Sequence, residues 1–160
     1  MFLYSIYKAL KVRLSTLNNS PLGDGGIIPV YLFTGQYLPG KDNKSLTIPA
    51  IYIELPKNSP INHYPKKVTT SKGNLFKIHY ISYAPFANHD STQQELAIEQ
   101  HEAVLQQIDN LINQWNLKDV TNKNVSEQFI TTDSNLLSFK NMAVSSVLVY
   151  KTEVYSRHLS

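Results

Sequence analysis

The sequence has no cysteine, which excludes disulfide cross-links, thiolate metal ligands and a cysteine nucleophile. Charge is also sparse. Asp, Glu, Lys and Arg make up 17% of the 160 residues, against about a quarter in an ordinary globular domain. Asn, Gln, Ser, Thr and Tyr supply the polarity instead, which suits surfaces that end up against other protein. Arginine is scarcer still, with Arg13 and Arg157 the only two among fifteen basic residues. Bidentate contacts to phosphate and guanine depend on the guanidinium fork, so sequence-specific reading of nucleic acid is not expected. The apolar runs fall far short of the ~20 residues that a membrane-spanning helix needs. The opening stretch from Met1 to Tyr7 has no basic segment before it, and Lys8, Lys11 and Arg13 follow it. That order is expected of a mature amphipathic helix in a cytosolic protein rather than of a signal peptide.

Enzyme motifs are equally thin. His101-Glu102 opens like a zinc-protease helix, but Leu105 stands four residues after His101 where a second histidine is needed. His101 falls on the apolar side of its helix, where a hydrogen-bonded core or interface histidine is the expectation. Glu95, Glu99 and Glu102 form a carboxylate stripe that reads as a solvated face or a surface for a partner's lysines rather than as a metal site. Gly23-Asp24-Gly25-Gly26 follows a helix and lacks a succeeding Lys-Ser or Lys-Thr, so it is a linker and not a phosphate loop. No Gly-x-Ser-x-Gly elbow occurs. No catalytic residue, cofactor or metal is therefore expected.

What remains describes one α+β domain over residues 1–160, long enough to bury a sizeable core. Leu3, Ile6, Tyr7, Leu10, Leu14 and Leu17 recur every three or four residues, predicting an amphipathic helix over 2–17. A short edge strand is predicted over 27–33, with Pro29 near its start. Residues 34–47 are turn-rich and read as exposed. In the next strand Ile51, Ile53 and Leu55 share one face while Ala50, Tyr52 and Glu54 share the other. A Pro/Asn-rich loop covers 56–65. Residues 68–71 and 75–84 flank Lys72-Gly73-Asn74 and predict a β-hairpin.

Ser91 or Thr92 can cap a second helix, predicted over 91–115, and Thr92 with Glu95 has the capping-box spacing. Ile98, His101, Leu105, Ile108, Ile112 and Trp115 keep its apolar rhythm. After a polar stretch over 118–128, strands are predicted at 129–132 and 143–155. The order α–β–β–β–β–α–β–β, with short connections, predicts a mainly antiparallel sheet of four to six strands carrying two packed helices. Ile6, Leu10, Ile51, Ile53, Phe76, Ile78, Leu105, Ile108, Leu148 and Tyr150 are the predicted core or subunit-contact residues.

Charge is unevenly distributed. Residues 1–89 carry ten Lys/Arg and three Asp/Glu, a net of +7, whereas residues 90–160 carry five and nine, a net of −4. Such a split can serve nucleic acid, or it can make one face of a subunit complement another face of its neighbour. Lys66, Lys67, Lys72 and Lys77, interleaved with Tyr64, Phe76, Tyr80 and Tyr83, form a basic-aromatic cluster of the kind that binds single strands. Alternating aromatics on a strand are more often core.

The order and lengths of these elements resemble the tail-terminator and tail-completion proteins of long-tailed bacteriophages, the minor tail protein U-like family. The resemblance is carried by the opening helix over 2–17, the strand Pro49-Ala50-Ile51-Tyr52-Ile53-Glu54-Leu55, and the run Phe76-Lys77-Ile78-His79-Tyr80-Ile81-Ser82-Tyr83-Ala84. The capped helix and the terminal strand, preceded by Asn135-Leu136-Leu137-Ser138-Phe139, complete it. It implies a non-enzymatic virion protein of the tail or neck, assembled in the host bacterial cytoplasm. Its subunits would form a homo-oligomeric ring, commonly a hexamer, that caps the tail tube and joins it to the head. Tail-tube and neck or connector proteins would be its partners, with non-specific contact to passing DNA and none with membrane.

Within such a ring Lys41, Lys44, Lys66, Lys67, Lys72 and Gly73 are the candidate interface or lumen residues. Two other readings stand beside it. One is a binding or adaptor domain of a contractile-injection system or other mobile element, and the other is a small enzyme or nucleic-acid-binding domain.

Overall fold

The computed structural model describes residues 2–17, 27–35, 48–56, 74–83, 91–118, 121–133, 138–140 and 143–152. Helix α1 runs Phe2–Leu14 and helix α2 runs Ser91–Ile112. Among the described residues eight strands accompany them: β1 Val30–Leu32, β2 Ala50–Glu54, β3 Asn74–Tyr83, β4 Asn116–Lys118, β5 Asn124–Gln128, β6 Ile130–Asp133, β7 Ser138–Lys140 and β8 Ala143–Thr152.

The main sheet has the order β1-β2-β3-β8-β6, with β7 also pairing β8. β3 and β8 form its spine, antiparallel over ten residue pairs from Asn74↔Thr152 to Tyr83↔Ala143. All pairings in this sheet are antiparallel except one. β1 runs parallel to β2, with Val30 opposite Ile51 and Leu32 opposite Ile53. The chain is thus α+β, with two helices on a mainly antiparallel sheet.

Both helices lie on the same face, because one apolar cluster contains residues of both. Ile6, Leu10 and Leu14 from α1 and Val104, Leu105, Ile108 and Ile112 from α2 meet Ile51, Ile53, Phe76, Ile78, Leu148 and Tyr150 from the sheet. All ten predicted core residues are buried. The three-and-four spacing on the helices and the two-residue period on the strands aim these side chains at one another. In β8 the alternation is complete, every second residue from Val144 to Thr152 being buried. β2 departs from simple alternation, since Ala50 and Tyr52 on its other face are buried as well, in a second small cluster with Ile81.

Each helix end has a visible cause. At the end of α1 the Ser15 and Thr16 hydroxyls donate back to the Val12 and Arg13 carbonyls at 2.7 and 2.9 Å, occupying acceptors that the last turn leaves open. α2 stops at Ile112 rather than at the predicted 115, because Gln114 adopts a left-handed φ of 65°. The Gln114 N–H then donates to the Phe129 carbonyl at 2.7 Å, and the Phe129 N–H donates to the Trp115 carbonyl at 2.9 Å. Trp115 therefore follows the helix and stacks on Phe129, with ring centroids 5.5 Å apart.

The sequence expectations are refined at three points. Within the mainly antiparallel sheet β1 and β2 pair in parallel, and that pairing requires a connection that carries the chain back along the sheet. The long stretch between Leu32 and Ala50 supplies it, so its length has a topological reason. The polar stretch over 118–128 also contains strand: β5 pairs β4 in a separate two-stranded sheet. A left-handed Asn122 (φ 65°), a residue type that tolerates this conformation, lies between the two strands. The helix predicted over 2–17 ends at Leu14, while the strand predicted over 143–155 is present as far as the described residues reach, 153–155 lying outside them. The first arm of the predicted hairpin, 68–71, lies outside the described residues. Its second arm is β3, which pairs with β2 and β8.

Candidate functional site

Lys41, Lys44, Lys66, Lys67, Lys72 and Gly73 lie outside the described residues. The points from which their segments depart are defined, however. Leu32 is level with Ile53, so β1 and β2 end at the same end of the sheet. β3 begins there too, since Glu54 pairs with Lys77. The connections that carry the six candidates therefore leave β1 and β2 at one end of the sheet, and the second returns to β3 at that end.

The titratable residues singled out in the sequence take separate places. His101 is completely buried beneath the sheet. Its Nδ1 lies 2.6 Å from the Ser82 hydroxyl and its Nε2 2.9 Å from the Ser146 hydroxyl, while its ring stacks on Tyr80 at 4.6 Å. Burial holds its pKa down at about 4, so the imidazole is neutral, one serine accepting and the other donating. This is the hydrogen-bonded core histidine that the helix spacing implied. The Tyr80 hydroxyl is buried without a hydrogen bond among the described residues. Burial raises its pKa, and the neighbouring Ser82 hydroxyl, which is engaged with His101, opposes the rise only in part.

On the opposite face His79 is buried between the Phe33 ring, stacked at 4.2 Å, and the Glu54 carboxylate, 2.6 Å from its Nε2. A carboxylate this close favours imidazolium, yet burial dominates and lowers the His79 pKa to about 4. The pair is a neutral N–H donating to a carboxylate. Glu95, Glu99 and Glu102 all stay exposed on α2. Among the described residues no three His, Asp or Glu side chains are grouped to hold a metal ion.

A different surface emerges where α1 meets the end of α2. Lys8 and Val12 from α1, Thr16 just past its end, Leu111 from the last turn of α2, Trp115 just beyond it, and Leu117 and Lys118 from β4 border an open groove. Its floor is apolar and its rim is cationic. Arg13 ties the two sides together, its Nε donating to the Leu111 carbonyl and its guanidinium lying 4.7 Å from the Trp115 ring centroid. Along the outer side of α1, Lys8 sits 4.9 Å above the Tyr4 ring and Lys11 lies 6.0 Å from Tyr7. Val12 is 69% exposed. Sequence reasoning missed this groove because about 100 positions separate its two walls. Its only local signal was Val12, an apolar residue on the polar side of α1.

Neither the known protein families nor the curated proteins include a match to this chain. Among solved structures, a chain from the virion of a native gene transfer agent particle has a similar fold. Its TM-score is 0.51 and its identity 14%, and the alignment covers 96% of this chain and 98% of that one.

Proposed function

We infer that this protein is a structural component of a phage-like virion, a tail-terminator, tail-completion or neck subunit that caps the tail tube and joins it to the head. The observation that carries this reading is the end-to-end likeness of fold to a chain from a gene transfer agent virion, with almost nothing left over on either side. The element pattern of the phage tail-terminator family, which the sequence resembles independently, agrees with it.

The chemistry of the described surfaces supports the same reading. The two buried histidines are neutral and enclosed, held in place by serines, a carboxylate and aromatic rings. Such groups set packing rather than reach a substrate. What the surface does offer is contact area, in the groove beside α1 and the carboxylate stripe of α2. In a tail or neck ring the subunit's tasks are to pair with copies of itself and with the tube and connector, and no reaction is part of them. Lys41, Lys44, Lys66, Lys67, Lys72 and Gly73 keep their proposed place at the ring's working surfaces. No described helix is long and apolar enough to cross a membrane.

The test is direct. Particles from a strain expressing a tagged copy are purified, their proteins identified by mass spectrometry, and the tag located by gold labelling in negative stain. Label at the junction of head and tail is the expected result. A protein absent from particles, with normal particles formed after its gene is deleted, overturns the reading.

A further inference from the structure

Helix α2 has a carboxylate stripe near one end and borders a cationic groove at the other. Glu95, Glu99 and Glu102 are spaced four and three residues apart, so they line one side of the helix, and all three are exposed. Beside them lie Leu96, 52% exposed, and the exposed Ala103. At the far end, exposed Val12 and the apolar groove floor are bordered by exposed Lys8 and Lys118 and by Arg13, with exposed Lys11 beside them on α1. The two patches match in kind, each an apolar strip edged by charges of one sign.

They cannot satisfy each other within one chain. Glu102 is the glutamate nearest the groove, and nine residues of helix separate it from Leu111, ~14 Å at the rise of an α-helix. Among the described residues no salt bridge involves any of these glutamates or lysines.

We propose that the glutamate stripe of α2 in one copy docks on the α1/α2 groove of the next. Leu96 and Ala103 cover Val12 and the apolar floor, while Glu95, Glu99 and Glu102 face Lys8, Lys11 and Lys118. The occupant is a second copy because this chain itself carries both halves of the complement. A nucleic acid would meet the three lysines but leave the exposed apolar strip uncovered. The patches differ and lie at opposite ends of one helix, so the contact is head-to-tail and repeats from copy to copy. Only its closure into a ring rests on the virion reading above; the contact itself does not.

Charge reversal with rescue tests this. One variant carries E95K, E99K and E102K, and the other carries K8E, K11E and K118E. Arg13 is left alone because it braces the groove. Far-ultraviolet circular dichroism and melting curves confirm that both variants fold. Sedimentation velocity at low salt, over a wide concentration range, then reads self-association.

Wild-type protein should self-associate, and less so as salt rises. Each variant alone should associate at least about tenfold more weakly, since like charges now face each other. An equimolar mixture should recover association, because each variant's stripe opposes the other's groove. Wild-type protein that stays monomeric throughout, variants that assemble as well as wild type, or a mixture without rescue each overturn the proposal. So does a groove whose reversal abolishes binding of a single-stranded oligonucleotide while leaving self-association intact. The virion reading fails on a different readout: rescue in solution from a protein that is missing from particles would sink that reading and leave this contact standing.

Discussion

The Tyr150 hydroxyl donates to Asp109 Oδ1 at 2.9 Å, joining the last turn of α2 to strand β8. The same carboxylate oxygen accepts from the Thr131 hydroxyl on β6, also at 2.9 Å. One turn beyond Asp109, just past the end of α2, Asn113 adds a third tie: its Oδ1 accepts from the Thr131 N–H at 3.3 Å. This short polar ladder sets how α2 lies across β8 and β6, which apolar contacts alone leave free to slide.

Removing Asp109 therefore strands a buried phenol. Asp109→Ala should destabilise the protein by about 1–3 kcal/mol, the range for leaving a buried donor unpaired. Tyr150→Phe, which removes the donor along with its need for an acceptor, should cost less. Urea denaturation midpoints of the two variants measure this order. A larger loss for Tyr150→Phe would show that the stranded phenol is not the source of the cost.

The histidines make stability depend on acid. Both His79 and His101 have pKa values lowered to about 4 in the folded state, whereas an unfolded histidine titrates near 6.5. The unfolded chain therefore binds protons first as pH falls below about 6.5. Stability is complete above that pH and declines as pH falls through about 4. His101 gives the cleaner effect, because its ring meets two serine hydroxyls, whereas imidazolium at His79 would gain the Glu54 carboxylate. Denaturation series between pH 7 and pH 4 should show this decline, and His101→Gln should flatten part of it. At the alkaline end the raised pKa values of Tyr80 and Tyr150 have the opposite sign. Their contribution is present below about pH 10 and is lost as pH rises above it.

Ile108 tests the helix-on-sheet core that periodicity predicted. It is fully buried among residues of both helices and the sheet, so Ile108→Asp should cost about 4 kcal/mol or more by enclosing an unpaired charge. A variant melting within a few degrees of wild type would contradict the packing.

That core was legible because each of its elements repeats a local rule. Ile6, Leu10 and Leu14 keep the helical period, and Ile51, Ile53, Phe76 and Ile78 keep the strand period. His101 could be placed in the core for the same reason. The parallel pairing of β1 was not legible, since three residues of strand carry no mark of direction and the partner is set by where a long connection returns. Nor was the β4–β5 pair, where Leu117 is a lone buried apolar residue in a polar run and Ser126 is held inside by bonding the Leu117 N–H. The groove escaped notice because it is assembled from opposite ends of the chain.

Gln114 marks a position where a different residue would serve stability better. A left-handed conformation costs a non-glycine residue roughly 1–2 kcal/mol, and glycine's extra freedom in the unfolded chain returns about 0.5–1 of that. Gln114→Gly should thus raise stability by some tenths of a kcal/mol, up to about 1, with the Gln114–Phe129 backbone bond retained. A lower melting temperature would mean that the glutamine side chain holds the helix end in a way its exposure does not reveal.

The last prediction concerns Lys66, Lys67 and Lys72. Their segment joins β2 to β3, leaving and re-entering at the sheet end where β1 also terminates. A connection much longer than the usual ~4–6 residues, rich in Lys, Asn and Pro, is the kind of segment that serves a partner rather than the core. No apolar contact of the described core depends on these lysines, so replacing all three by Ser should leave the melting temperature of the isolated protein unchanged. In particles the same change should leave heads and tails separate if the lysines hold a tube or neck protein, since lysine contacts and main-chain pairing would do the holding. Counting joined and unjoined heads by negative stain measures that outcome. If instead particles join normally but retain or eject DNA abnormally, the lysines face the channel, and the defect should then shrink as salt rises. Normal joining together with normal DNA retention and infectivity would remove Lys66, Lys67 and Lys72 from the working surface altogether.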